Sequence, residues 1–340
     1  MPGSMRELPL RHAVILGLLH GPTELLPISS SAHTTLVPRL AGWPYEELDP
    51  TLRKSFEVAL HAGTAAALLL RPPSGDRPRD RATAATAATA ATANSKRSTR
   101  TRLGFLIAAL APPALAGYTL GGQIEQRLGA PAKIVAGLLA GSAAMGCIEV
   151  YKTWHAPRAR GEHRHFEGNN LPAQRTAPDP NEHPATVPVK QMAAAGASEQ
   201  TVGSRPVASA NARDGLALGL AQALALIPGV SRSGATLAAA RARGFSRRDA
   251  DQLSWTVGLP VIAGATLLQG TRLARQQTRA DRPRAAAMPL AVGAASAFLS
   301  TLASLKALDR RRRAQLLPAC IAYRGALAAY VIRCMRDNTS

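Results

Sequence analysis

Apolar residues along this chain gather into long runs divided by polar clusters, and the runs have the length scale of a bilayer. Candidate spanning segments are Phe56–Leu70, Leu103–Leu120, Lys133–Val150, Leu253–Leu268, Ala285–Leu308 and Leu316–Cys334. A helix crossing the hydrocarbon core needs about 20 apolar residues, so the first and fourth are expected to extend into their flanks. Pro112-Pro113 inside the second predicts a kink;. Ala13–Pro38 and Leu216–Arg243 are also apolar, but each is broken by a proline and a Ser-rich turn. Such segments suit re-entrant hairpins, because non-helical backbone at membrane depth must be buried in protein or line a polar cavity. Laid over each other with Gly17 on Gly219, the two also match at Leu18/Leu220, Ser29/Ser231, Ser31/Ser233 and Thr34/Thr236. The expected fold class is all-α integral membrane, with about six spanning helices plus two re-entrant helical hairpins in inverted repeats.

Composition sharpens this picture only after the chain is divided. Mean hydropathy is −0.03, which as an average suggests a soluble protein. Residues 72–102 and 155–213, however, are rich in Arg, Pro, Thr, Asn and His, while the remainder is dominated by Ala, Leu, Val and Gly. That bimodality excludes both an ordinary soluble globule and a wholly disordered chain. A single polytopic domain over 1–340 is expected. Its first repeat covers about 11–120 with a polar insert at 72–102, a polar loop runs over 155–213, and the second repeat covers about 214–335;.

The net charge of +20 raises nucleic acid as a partner, but aromatic residues make up only 4% and no nucleic-acid motif is present;. The arginines lie mostly in loops, as expected for cytoplasmic loops facing anionic lipid. Arg310–Arg313 fits that pattern; Arg272–Arg284, with five arginines, conflicts with it by alternation of the spans. Cys147, Cys320 and Cys334 lie in or at the end of apolar runs and read as small hydrophobes rather than disulfide partners;. His155, His163, His165 and His183 fall in a Pro/Asn-rich stretch and read as a solvated loop rather than a metal site;.

Two motifs carry chemistry. The first, His20-Gly21-Pro22-Thr23-Glu24-Leu25-Leu26-Pro27-Ile28-Ser29-Ser30-Ser31-Ala32-His33, sets a carboxylate, three hydroxyls and an imidazole within apolar sequence. Ionisable groups there are costly and are functional candidates. The second, Pro228-Gly229-Val230-Ser231-Arg232-Ser233-Gly234-Ala235-Thr236, flanks a cation with small hydroxyl residues and glycines. An arginine fork matches phosphate oxygens. Together the motifs supply a nucleophile, an acid/base and an oxyanion clamp, the requirements of attack on a phosphoryl centre. Taken singly, each residue has a structural reading: Ser29–Ser31 as a helix cap, His33 on a backbone carbonyl, Glu24 in an ion pair, Arg232 at a helix end.

Gly17–His33 and Pro228–Thr236 resemble the two signature motifs of the undecaprenyl-diphosphate phosphatases, the bacitracin-resistance family. Phe56-Glu57-Val58 with Ala62-Gly63-Thr64, and Phe245-Ser246-Arg247, are similar to two further segments of it. The resemblance implies a hydrolase of the bacterial plasma membrane. Its reaction removes the terminal phosphate of a C55 isoprenyl diphosphate, recycling the lipid carrier of peptidoglycan synthesis and conferring bacitracin resistance. It implies Glu24, Ser30, His33 and Arg232 as catalytic residues, with Thr23, Ser29, Ser31, Ser231, Ser233 and Gly234 binding substrate. Ser30 is the nucleophile, unless water attacks directly. The expected partners are the bilayer, the isoprenyl diphosphate and a second copy in a homodimer.

The chain departs from the family pattern at Leu25, where the family has Phe, and at Ala32, where it has Gly; two further departures bear on the metal. His20 stands where the family has a glutamate, and His61 where it has a glutamine. Glu24 with His20 is the expected ligand set for a divalent cation, Mg²⁺ or Ca²⁺, although hard ions prefer oxygen. A carrier that flips isoprenyl phosphate without hydrolysis is the alternative function, and an inactive homologue is a third.

Overall fold

The computed structural model describes residues 7–72, 95–155, 204–277, 287–308, 313 and 315–337. Among them every regular element is helical. In order they are α1 (Leu10–Leu25), α2 (Ser30–Leu40), α3 (Pro50–Leu70), α4 (Ser95–Thr119), α5 (Gly121–Leu128) and α6 (Pro131–Trp154). A short 3₁₀ turn, Val207–Ser209, precedes α7 (Ala212–Leu224), α8 (Arg232–Ala242), α9 (Arg247–Gln277), α10 (Ala287–Ala307) and α11 (Leu317–Asp337).

The six expected spans map onto six long helices, α3, α4, α6, α9, α10 and α11; those matching α4, α10 and α11 run past the helix by one or two residues. Three of these helices carry stretches long and apolar enough to cross a membrane: Pro131–Trp154, Arg247–Leu273 and Ala287–Ala307. A fourth candidate is a bent pair, Thr99–Thr119 with Gly121–Leu128, turned by 68°. That bend follows Thr119, while α4 continues as a helix through Pro112-Pro113, where the sequence suggested the kink. Helix α4 also begins at Ser95, so the end of the stretch expected to be insert is helical. The rest of that insert, and 156–203 with its three further histidines, lie outside the described residues.

Helices α3 and α11 have 21 residues each, enough at 1.5 Å per residue to cross the core;. Their apolar character is diluted by polar residues turned inward, among them Thr64 and Arg324, both fully buried. Large apolar side chains instead point outward: Leu70, Leu115, Leu267 and Leu299 are exposed on four different helices. A polar interior under an apolar exterior suits lipid as the solvent.

The broken segments form two helix pairs, α1–α2 and α7–α8. Helix α1 packs on α10, and α7 packs on α4. Both approaches require glycine: a Cβ on Gly17 would lie 2.7 Å from the Gly293 carbonyl oxygen, and one on Gly219 2.7 Å from that of Ala108;. The turns match as well. Ser29 caps α2 by accepting from the Ala32 N–H, and Ser231 caps α8 by accepting from the Gly234 N–H;. Ser29 and Ser31 share a hydrogen bond at 3.2 Å, as Ser231 and Ser233 do at 3.1 Å. Thr34 and Thr236 each donate to carbonyls three and four residues back. Among the described residues Ser29 is the one non-glycine residue with positive φ, at 72°. Its cap and the Ser31 contact hold that left-handed conformation.

Two charged clusters join α6 and the 3₁₀ turn region to α7, α8 and α9. Asp214, fully buried, accepts from Arg205 and Arg243, and Glu149 from Arg241 and Arg247. Arg313, in the run expected to form a cytoplasmic loop, is buried and donates to Asp251 at 3.0 Å. The three cysteines are unbridged.

Candidate active site

Helices α2 and α8 begin at the chemical motifs, so their N-termini carry Ser30 and Arg232 as first helical residues. The partial positive charge and free N–H groups of a helix start favour anions, and here two starts meet. Glu24, in the last turn of α1, joins them. Its Oε2 accepts from the Ser30 hydroxyl at 2.6 Å and its Oε1 from Arg232 Nη2 at 3.1 Å. The carboxylate is buried, 8% exposed, and the Arg232 side chain is 14% exposed.

Arg232 is held in place by what surrounds it. Its guanidinium lies 5.3 Å from the ring centroid of Trp255, whose other neighbour is Arg313 at 5.7 Å;. It runs directly over Gly258, where any Cβ would collide with Nη1. Nε and Nη1 are buried and make no hydrogen bond within the protein. Two buried N–H donors without acceptors, at the mouth of two helix N-termini, form an oxyanion-binding geometry.

His33 occupies a different place from the one its motif suggested. Its Nδ1 meets the Ser29 carbonyl at 2.7 Å, so that nitrogen carries the proton;. The neutral ring's Nε2 then accepts from the Tyr323 hydroxyl at 2.7 Å, with the two rings stacked. Both nitrogens are committed, and the Ser30 hydroxyl donates to Glu24 rather than to His33. The expected substrate binders divide similarly. Thr23 donates back to Leu19 and His20 carbonyls in its own helix, and the Gly234 N–H is used by the Ser231 cap. Ser233 donates to the Leu26 carbonyl at 3.4 Å, tying the second turn to the first.

Arg324 was not singled out by the motifs, yet it is fully buried and central. It donates to the carbonyls of Pro27 and Gly229, one in each turn, and to Leu138 and the Ser142 hydroxyl of α6. A guanidinium in the middle of an apolar span is itself a signal of such a role. Gly229 reaches its partner through a backbone at φ 91°.

On the far side of Glu24, His20 and His61 face each other edge to face with centroids 4.6 Å apart. One ligand-type atom from each of His20, Glu24 and His61 lies within 4.8 Å of the others. Mg²⁺ and Ca²⁺ are hard ions that take oxygen ligands, whereas two of the three donors here are imidazole nitrogens;. The residues do not fit the alkaline-earth ion expected from the sequence.

A helical membrane-type fold that buries a hydroxyl, a carboxylate and an arginine fork at paired helix N-termini defines a protein built for phosphoryl chemistry on a lipid. The comparisons agree with that class. The family model described as "Bacitracin resistance protein BacA" matches residues 13–330, and the chain belongs to that family. It is similar to undecaprenyl-diphosphatases of Geobacter metallireducens and Geobacter sulfurreducens, 32% identical to each, over 88% of this chain and 90% of each relative. A third, from Mycobacterium avium, is 32% identical over 76% of this chain and 77% of its own.

Proposed function

We propose that the chain hydrolyses undecaprenyl diphosphate to undecaprenyl phosphate and inorganic phosphate, at the plasma membrane of a bacterium. The observation that carries this reading is one carboxylate bridging a serine hydroxyl and an arginine that keeps two donors unpaired. In the membrane, α1–α2 and α7–α8 act as re-entrant hairpins of two inverted repeats, bringing their turns together at depth. The six long helices span the bilayer, and the isoprenyl tail lies along their apolar faces.

Arg232 Nε and Nη1, with the two helix N-termini, bind the terminal phosphate and pre-set it for attack. Glu24 Oε2 takes the Ser30 proton as Oγ attacks phosphorus in line. The bond from phosphorus to the bridging oxygen breaks, and that oxygen leaves as undecaprenyl phosphate. Arg232 strengthens its hold as charge spreads over the equatorial oxygens. Glu24 passes the Ser30 proton to the departing phosphate oxygen; the freed carboxylate then takes a proton from a water attacking the phosphoserine and returns it to Ser30 Oγ as the phosphorus–Oγ bond breaks, releasing inorganic phosphate. His33 keeps the Ser29 turn in register through its carbonyl, and Arg324 fixes both turns. A carrier would use Arg232 but gives no role to the Ser30–Glu24 pair.

The test is phosphate release from undecaprenyl diphosphate by purified protein in detergent. Stoichiometric binding without turnover, in a protein that melts cooperatively, would overturn hydrolysis.

A further inference from the structure

Buried hydrogen bonds fix the protonation pattern beside Glu24. Thr301 donates to the Ala297 carbonyl at 2.7 Å, and a carbonyl only accepts;. Thr301 therefore accepts from Thr64 at 3.2 Å, and Thr64, its one proton used, accepts from His20 Nδ1 at 2.9 Å. His20 Nδ1 carries the proton, and Nε2 presents a lone pair. That Nε2 is buried without a partner in a fully buried side chain. His61 follows the same logic: Nδ1 donates to the Glu57 carbonyl at 2.9 Å, leaving a lone pair on Nε2. Two imidazole acceptors and a carboxylate thus converge, and a cation is what three acceptors need.

We propose that His20, His61 and Glu24 bind a first-row transition ion of the zinc class. The donor set of two imidazoles and one carboxylate is that of many zinc sites, with a fourth position left for water or a phosphate oxygen. Histidine ligands characteristically donate their second N–H to a carbonyl or other acceptor, which orients the ring, and both rings do so here;. Ligands on one Zn²⁺ at about 2.1 Å stand roughly 3.4 Å apart in a tetrahedron, so the three must draw in from their present spacing by side-chain rotation. Each carboxylate oxygen has two lone pairs, so Glu24 ligates while still accepting from Arg232 and Ser30. The ion would sit beside the proposed nucleophile, but its binding rests on the donor geometry and not on the hydrolase reading.

The test uses full-length protein in detergent, stripped with a chelator and titrated with Co²⁺ as a coloured stand-in for Zn²⁺. One equivalent should bind with the visible absorption of a low-coordinate site, Zn²⁺ should bleach it, and excess Mg²⁺ or Ca²⁺ should not. His20→Gln and His61→Gln should each abolish the saturable band. Thr64→Val, which spares all three ligands but removes the acceptor that orients His20, should weaken Co²⁺ binding about 10–100-fold. Changing His163, His165 and His183 together to Gln should leave the band intact. Absence of a saturable band, or a band that survives in His20→Gln and His61→Gln, would overturn the site. Because colour is read without substrate, a protein that hydrolyses but binds no Co²⁺ refutes this proposal alone, and one that binds but never hydrolyses refutes only the hydrolase reading.

Discussion

Arg232→Lys isolates the contribution of the guanidinium fork. Lysine keeps the positive charge and can still pair with Glu24, which is 8% exposed and needs a counter-charge. What it loses is geometry. Arg232 bonds Glu24 through Nη2 alone and keeps Nε and Nη1 for a ligand, whereas an ammonium drawn to Glu24 cannot also span two phosphate oxygens;. Losing one preorganised oxyanion donor typically costs 10²–10³ in kcat, or about 2.7–4 kcal/mol, so Arg232→Lys should fall at least that far. Arg232→Ala should be worse in turnover and also less stable, by about 3–5 kcal/mol, because it strands the Glu24 carboxylate. Phosphate release measured over a range of substrate concentrations, with Tm alongside, separates the two effects. Loss mainly in kcat marks a grip that tightens in the transition state, and loss mainly in KM marks ground-state binding. Arg241→Lys and Arg243→Lys are the controls: Glu149 keeps Arg247 and Asp214 keeps its two bonds from Arg205, so activity should persist. An Arg232→Lys enzyme within about threefold of the unmodified one in kcat/KM would refute the clamp.

Ser30→Ala should lower turnover by on the order of 10²–10⁴ with unchanged Tm, and acid-quenched wild-type protein should carry phosphate on Ser30 by mass spectrometry. If Ser30→Ala keeps full activity, water attacks directly. Arg324→Met should destabilise the protein markedly, since each stranded buried carbonyl costs about 1–3 kcal/mol; an unchanged Tm would mean that Arg324 does not tie the turns. Replacing residues 73–94 by a short Gly/Ser linker should leave kcat within about twofold, because that deletion stops before α4; a folded deletion without hydrolysis would give the insert a place in the site;.

The residues that take part through local sequence were readable, and those that arrive from afar were not. Glu24, Ser30 and Arg232 stand in short motifs where polar groups interrupt apolar runs, and all three meet in the structure. The motif could not say that Ser30 bonds Glu24 instead of His33, because both lie within a turn or two of it in sequence. Only the three-dimensional turn separates them, by turning His33 toward Tyr323. Tyr323 and Arg324 lie about 290 residues further along, inside a span whose average character is apolar, and hydropathy averages conceal a single inward arginine. The arginine run at 310–313 reads as a cytoplasmic loop, and the sequence does not show that Arg313 reaches back to Asp251, 62 residues away. Nothing in its own segment marks His61, because its significance depends on His20, which comes from another helix.

The matching turns explain why the site must be asymmetric. Ser30 and Arg232 occupy equivalent positions, each the first residue of a helix capped by the preceding serine. The ionisable groups near them do not correspond: Glu24 falls opposite Leu226, and His33 opposite Ala235. Had both turns carried the glutamate, two carboxylates would share a buried space and repel each other along with the phosphate. Had both carried the arginine, two cations would hold the anion with no nucleophile or base to act on it. One carboxylate against one guanidinium leaves the buried pair neutral before substrate enters, while the helix N-termini and the unpaired arginine donors still favour an anion;. Divergence of two similar turns into a nucleophile half and a clamp half is therefore a condition for binding and attack in the same buried place.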